Sequence, residues 1–135
     1  MNQRVLLLED NPADARLMQE AFRELHIAGT LETVASAQEA IEFLDGALRS
    51  GNLPTVAILD INLPAGSGHD VLRHIRAQHA LQDLVVIMLT TSDADQDIQT
   101  AKEQGATTYY IKPPDLDGFL SLVEEIQSFW VERQR

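Results

Sequence analysis

The stretch that decides the fold is Val56-Ala57-Ile58-Leu59-Asp60, four apolar residues in a row that end on a carboxylate. Continuous apolar runs bounded by polar and turn residues are typical of strands that are buried on both faces of a parallel sheet. Leu84–Leu89 is a second such run and Val5–Leu8 is a third, while Leu31–Val34 and Thr107–Ile111 are weaker ones. The sequence therefore predicts five strands.

Segments with helical spacing follow each of these strands. Asn11-Pro12 is a predicted helix start, because an Asx cap is followed by proline at the first helical position. Ser36 and Glu39 have the spacing of a capping box and predict the start of a second helix. The other predicted helices are a short one around Val71, Leu72 and Ile75, one from Ser92 to Gln104, and one from Leu116 to Trp130. Five alternations of strand and helix predict a doubly wound α/β fold, with a five-stranded parallel sheet and five helices.

The composition limits the classes of function. A chain of 135 residues with 44% hydrophobic residues is expected to form one domain over residues 1–135, without a separate output domain. We expect a cytoplasmic protein, because no apolar run approaches the roughly 18 residues that span a bilayer and no signal pattern precedes Val5. The absence of cysteine excludes disulfides and thiolate chemistry. A net charge of −11 argues against binding to nucleic acid.

Chemically capable side chains follow four of the predicted strands. Glu9 and Asp10 come after the first strand, Asp60 after the third, Thr90 after the fourth and Lys112 after the fifth. Ligand sites of doubly wound sheets form at the carboxyl ends of the strands, so we expect these side chains to converge. Three carboxylates in one crevice favour a divalent cation, and hard oxygen ligands favour Mg²⁺.

The remaining groups suit the transfer of a phosphoryl group. Lys112 would supply a positive charge to a tetrahedral oxyanion, and Thr90 would supply a hydrogen bond. Asp60 is the predicted nucleophile, since a carboxylate needs no general base at neutral pH and can form an acyl phosphate.

At this point the sequence resembles the receiver domains of bacterial two-component response regulators, with a layout similar to the chemotaxis regulator. The resemblance covers nearly the whole chain and rests on four stretches: Val5–Pro12, Ile58–Pro64 with Gly66 and Gly68, Met88–Ser92, and Gly105–Pro113. It implies the flavodoxin-like strand order 2-1-3-4-5. The segment from Phe119 to Trp130 resembles the longer last helix of the stand-alone regulators that partner bacterial phytochrome kinases.

The resemblance also implies individual roles. Asp60 would be the phosphoacceptor, and Mg²⁺ would be bound by Asp10, Asp60 and the backbone carbonyl of Asn62, with Glu9 assisting. Thr90 and Lys112 would contact the phosphoryl group, and Tyr109 would move with Thr90 as the switch. Asn62 and Ser92 would flank the attacking water during hydrolysis, and the Lys112–Pro113 peptide would be cis. This chain has Glu-Asp at residues 9 and 10, where the family often has Asp-Asp.

Partners follow from the same resemblance. We expect the phosphoryl donor to be a sensor histidine kinase, with a bacterial phytochrome as one candidate, or a phosphotransfer protein. A downstream protein would read the face made by the fourth helix, fifth strand and fifth helix, and this face is also the candidate homodimer interface. Phe129 and Trp130 have two interpretations, closure of the core or an interface anchor.

Simpler interpretations remain for several residues. Tyr109 and Tyr110 point to opposite faces of a strand, which predicts that one is buried and the other more exposed. The four histidines, His26, His69, His74 and His79, lack a ligand spacing and are interpreted as surface residues without a role.

Two rival functions remain. A phosphatase with an aspartyl nucleophile would carry a general acid two residues after Asp60, where this chain has Asn62. A degenerate receiver that only docks would not need an intact site. The predicted function is thus that of a phosphoacceptor with only self-phosphorylation and self-dephosphorylation chemistry.

Overall fold

The computed structural model of the chain describes residues 3–91 and 95–133. The strands are β1 (Gln3–Leu8), β2 (Gly29–Val34), β3 (Val56–Asp60), β4 (Val85–Thr90) and β5 (Thr108–Ile111). The helices are α1 (Pro12–Glu24), α2 (Ala37–Ser50), α3 (Gly68–Ala77), α4 (Asp95–Glu103) and α5 (Leu116–Arg133). All five predicted strands and five predicted helices are present. One turn of 3-10 helix at His79–Leu81 was not predicted.

The five strands form one parallel sheet in the order β2-β1-β3-β4-β5, which confirms the predicted fold class and strand order. The registers align the carboxyl ends of neighbouring strands: Leu8 pairs with Leu59, Leu59 with Met88, and Met88 with Tyr109. The residues that end or follow β1, β3, β4 and β5 consequently lie along one edge of the sheet.

The core forms two layers, one on each face of the sheet. Leu6 and Leu8 contribute to the layer under α2 and α3, and Val5 and Leu7 contribute to the layer under α1 and α5. This alternation follows from the two-residue period of a strand, and helices on both faces explain why the central strands are apolar throughout.

Side-chain caps fix where the helices begin. Asn11 Oδ1 accepts hydrogen bonds from the backbone N–H groups of Ala13 (2.9 Å) and Asp14 (3.2 Å), as the Asx cap predicts. Ser36 Oγ accepts from the Glu39 N–H, but the Glu39 carboxylate accepts from the Ser36 hydroxyl, so only half of the predicted capping box forms there. A full capping box joins residues 67 and 70 at the start of α3.

Three expectations about local structure were wrong. The Lys112–Pro113 peptide is trans, the form favoured by about 0.5–1 kcal/mol even before proline. Tyr109 and Tyr110 are both half-buried, because helices cover both faces of β5 and each ring packs against a different core layer. His69 is buried between α3 and α4 rather than on the surface. The predicted start of the fourth helix at Ser92 lies outside the described residues.

Candidate functional site

The predicted site residues converge at the carboxyl edge of the sheet. Glu9 and Asp10 directly follow β1, Asp60 ends β3, Thr90 ends β4, and Lys112 directly follows β5. Backbone hydrogen bonds to the neighbouring strand fix two residues that directly follow strands. The Glu9 N–H donates to the Val34 carbonyl (3.0 Å), and the Lys112 N–H donates to the Thr90 carbonyl (2.7 Å). The sheet itself therefore positions these side chains.

Three of the carboxylates form a compact cluster. One oxygen from each of Glu9, Asp10 and Asp60 lies within 4.8 Å of the other two. The Glu9 and Asp60 side chains are almost completely buried, at 2% and 1% exposure, whereas Asp10 is half-buried. Asp10 is thus the most solvent-exposed member of the cluster.

Lys112 is the cation of this site. Its Nζ lies 2.8 Å from Glu9 Oε1, 3.1 Å from Asp60 Oδ2 and 3.2 Å from Asp14 Oδ2. The contact with Asp14 was missed by the sequence reasoning. Asp14 lies in the first turn of α1, and its distance of four residues from Asp10 at a capped helix start was the available signal.

Burial and the neighbouring charges change the pKa values of two groups. Burial raises the pKa of Glu9 to about 7; a hydrogen bond from Lys112 opposes this rise, and the charge of Asp60 adds to it. Burial by itself would lower the pKa of Lys112, but the hydrogen bond to Glu9 and the charges of Asp60 and Glu9 raise it above its ordinary value. Lys112 therefore stays charged at neutral pH.

The donor set of this cluster fits a divalent cation. The three clustered carboxylates next to one lysine leave an excess of negative charge. Burial raises the pKa of Glu9, so its ionised form needs a nearby positive charge. Oxygen ligands, one of them reachable by water, suit Mg²⁺, which usually keeps several waters. The cluster could hold such an ion.

The Asp60 carboxylate is held from both sides. Its Oδ1 accepts from the Asn62 N–H at 2.9 Å, and its Oδ2 faces Lys112. The backbone behind it is closely packed as well, because a Cβ on Gly68 would lie 2.6 Å from the Asp60 carbonyl oxygen. The residue at the start of α3 must therefore be glycine for the loop to approach the end of β3 so closely.

Thr90 is fully buried, and its hydroxyl donates to Asn62 Oδ1 at 3.2 Å. The same oxygen accepts from the N–H (2.9 Å) and the hydroxyl (3.1 Å) of Thr91. The Asn62 side chain thereby ties the loop after β3 to the end of β4.

Tyr109 lies on β5 next to β4, with Lys102 Nζ 5.5 Å from the centre of its ring. Ser92 and the Trp130 side chain lie outside what the structure describes, while Phe129 packs on the core layer under α1 and α5.

Fold and site together define a receiver domain, and comparison with known proteins gives the same result. The chain belongs to the response regulator receiver domain family, whose match spans residues 5–124. It is therefore a receiver of the kind that response regulators use in two-component signalling. No helix among residues 3–91 and 95–133 is long and apolar enough to cross a membrane.

Several relatives are similar over nearly their whole length. The probable methanogenesis regulatory protein FilR2 of Methanothrix harundinacea (strain 6Ac) is 36% identical over 130 residues, which cover 94% of this chain and 83% of the relative. Response regulator Rcp1 of Synechocystis sp. (strain ATCC 27184 / PCC 6803 / Kazusa) is 33% identical over 130 residues, covering 95% and 88%. The structure of its Mn²⁺-bound form gives a TM-score of 0.83 at 32% identity and covers 96% of this chain and 95% of that one.

A third similar protein is the phosphorylated cyanobacterial phytochrome response regulator RcpA. Its crystal structure superposes with a TM-score of 0.87 at 31% identity, covering 97% of this chain and 95% of that one. The predicted resemblance to receivers, and to phytochrome response regulators among them, is confirmed by these matches.

Proposed function

We propose that this chain takes a phosphoryl group onto Asp60 from a sensor histidine kinase and presents the result to a partner protein through a phosphorylation-dependent surface. The observation that carries the proposal is the buried Asp60 carboxylate, with Oδ2 3.1 Å from Lys112 Nζ and the Glu9–Asp10 pair beside it. The phosphorylated state of the similar protein RcpA supports the same chemistry.

The chain's own residues divide the work of the transfer. Asp60 Oδ2 attacks the phosphorus of a phosphohistidine in line, so that an O–P bond forms while the N–P bond to the kinase histidine breaks. Lys112, already next to Oδ2, neutralises charge on the phosphoryl oxygens, and the Asn62 N–H keeps Oδ1 turned away from the phosphorus. The protein itself then accepts the phosphoryl group and does not act as an enzyme on an external substrate.

Mg²⁺ would be held by Asp10, Asp60 and the Asn62 backbone carbonyl, with Glu9 nearby, and would supply neutralisation of charge on the transferring group. Support comes from the carboxylate cluster and from the Mn²⁺-bound form of the similar protein Rcp1.

Thr90 would carry the state of Asp60 outward. A hydroxyl has one proton to donate, so Thr90 must leave Asn62 Oδ1 before it can donate to a phosphoryl oxygen. Its displacement would favour a different position of Tyr109 on the neighbouring strand and change the face made by α4, β5 and α5.

The partners are proposed from the same relatives. A kinase of the phytochrome type is favoured as the phosphoryl donor, because phytochrome response regulators are among the most similar structures. The α4–β5–α5 face would bind the downstream target or a second copy of the chain, and the exposed side chain of Ile111 on β5 gives this face an apolar contact.

Incubation with acetyl phosphate and Mg²⁺, followed by intact-mass spectrometry, tests the phosphoacceptor role. The wild type is expected to gain one acid-labile phosphoryl group, lost again over time, whereas Asp60→Asn gains none. Asp45→Asn, on the distant helix α2, is the matched control and is expected to behave like the wild type. Modification of Asp60→Asn to the same extent would refute the assignment.

The same preparation separates the rival functions. Asn62 occupies the place of a phosphatase general acid, and its amide cannot donate an acidic proton, so turnover of a phosphomonoester is not expected. Sustained hydrolysis of such a substrate would favour the phosphatase. If neither acetyl phosphate nor beryllofluoride altered the wild type, the chain would instead be a docking module.

A further inference from the structure

Asp14 is a fourth carboxylate at the site, and the metal cluster does not include it. Its Oδ2 lies 3.2 Å from Lys112 Nζ, while the clustered oxygens belong to Glu9, Asp10 and Asp60. The exposed fraction of its side chain is 22%, against 2% for Glu9 and 1% for Asp60. Asp14 therefore approaches Lys112 from the outer side of the pocket.

The other two carboxylates that contact Lys112 have additional proposed roles at the site. Glu9 and Asp60 are both candidate metal ligands, and Asp60 would lose its negative Oδ2 on becoming an acyl phosphate. An ammonium group has three protons, and in this conformation the three carboxylates within reach can accept all of them. Asp14 is the member of this trio that is neither the proposed phosphoacceptor nor a candidate metal ligand.

We propose that Asp14 is a positioning residue that keeps Lys112 directed at the phosphoryl group while Asp60 changes its chemical state. This inference rests on the proposed function of Asp60. The role requires a carboxylate on a firmly placed backbone, and the capped first turn of α1 provides this. The Asp14 N–H donates to the Asn11 cap, and an acidic side chain in the first turn is further stabilised by the helix dipole.

The first experiment measures the rate of Asp60 phosphorylation by acetyl phosphate with Mg²⁺ in wild type and in a Lys112→Ala background. Asp14→Asn keeps the size and removes the charge, and we expect a roughly fivefold slower reaction when Lys112 is present, from the loss of one charge-assisted hydrogen bond. In the Lys112→Ala background the same substitution is expected to have no effect. The control is Glu24→Gln, which removes one exposed charge at the other end of α1 and is expected to change neither rate.

Three outcomes of this experiment would overturn the inference. Faster phosphorylation in both backgrounds would mean that Asp14 merely repels the anionic donor. Equal slowing in both backgrounds would mean a structural role that does not pass through Lys112. An unchanged rate in the presence of Lys112 would mean no role.

A second readout needs neither metal nor phosphoryl donor. In the metal-free protein, the ¹³C and ¹H signals of the Lys112 ε-methylene are expected to shift and sharpen in Asp14→Asn, because the side chain gains freedom, and to stay in place in Glu24→Gln. Unchanged signals in Asp14→Asn would refute the positioning role. If the wild type accepts no phosphoryl group, the proposed function fails, and this measurement still decides whether Asp14 holds Lys112.

Discussion

The approach of Gly68 to the end of β3 is the tightest backbone contact behind the phosphoacceptor. An added Cβ would lie 2.6 Å from the Asp60 carbonyl oxygen and 3.3 Å from Met88 Cε, so the start of α3 or the end of β3 must move. Gly68→Ala is expected to lower the free energy of unfolding by about 1–3 kcal/mol, the usual cost of overpacking, and to slow the modification of Asp60. Urea unfolding and the acetyl phosphate assay measure the two effects.

Gly46 is the matched control for this substitution. It lies inside α2, and a Cβ there meets no atom closer than Arg49 Nη2 at 3.8 Å. Gly46→Ala should raise the free energy of unfolding by up to about 1 kcal/mol, since alanine is the better helix former. If both substitutions had the same effect, the close approach to Asp60 would not be its cause.

The side chains at strand ends could be predicted from the sequence, whereas those contributed by other elements could not. Asp60 and Thr90 end predicted strands and Lys112 directly follows one, so their positions follow from the sheet alone. Asp14 is 98 residues from Lys112 in the sequence, and their contact depends on the tertiary placement of the first turn of α1 relative to the residue that follows β5. The spacing from Asp10 at a capped helix start indicates that Asp14 lies near the site, but no local pattern shows that it contacts Lys112, and none shows the approach of Gly68 to Asp60.

At the scale of elements, the contact between α3 and α4 contains a buried histidine, His69. Both ring nitrogens of His69 lack a hydrogen-bond partner in the part of the chain that the structure describes, and Asp97 Oδ1 on α4 lies 3.7 Å from Nε2, too far for a hydrogen bond. Unsatisfied buried polar atoms are costly, so His69→Leu is expected to raise the free energy of unfolding by about 1 kcal/mol. Chemical denaturation at pH 8 measures the change.

Exposed His79 is the comparison for that experiment. His79→Leu removes an imidazole from the surface and should change the free energy of unfolding by less than about 0.5 kcal/mol. A loss of stability in His69→Leu, shared by Asp97→Asn, would show instead that the two side chains stabilise the α3–α4 contact as an ion pair.

The existence and order of the elements could be predicted because their apolar runs and caps are strong local signals. The degree to which individual side chains are buried could not be predicted. The prediction that one of Tyr109 and Tyr110 is buried and the other more exposed rested on their opposite directions along the strand, yet core residues pack against β5 from both sides. The short turn at His79–Leu81 escaped prediction because only one of its three residues, Leu81, is buried, so its sequence carries no apolar period.

For the whole molecule, the concentrated negative charge leads us to expect that stability depends on divalent cations. The chain carries a net charge of −11, and three of its carboxylates crowd into the cluster of Glu9, Asp10 and Asp60. Mg²⁺ at a hundred times its Kd is expected to add about 2.7 kcal/mol to the free energy of unfolding. Thermal unfolding with Mg²⁺ or with EDTA measures this stabilisation. Asp10→Asn should lose most of the stabilisation by Mg²⁺. Glu42→Gln, which removes an exposed charge on α2, should retain it. Equal gains in both variants would place the ion elsewhere.

The proposed self-association of the molecule depends on β5, the edge strand of the sheet. Ile111 on this strand is 53% exposed, and a large apolar side chain on an open edge favours contact with another chain. If two copies pair through the α4–β5–α5 face, Ile111→Lys should keep the protein monomeric while beryllofluoride still binds, since the substitution puts a charge at the contact without removing a site residue. Light scattering after size-exclusion chromatography, with and without beryllofluoride, measures the mass.

Leu53→Lys, at an exposed apolar residue before β3, is the matched control and should dimerise like the wild type. Loss of the dimer in both variants would point to a general effect of added charge, and a wild type that stays monomeric under all conditions would leave the α4–β5–α5 face to a different protein.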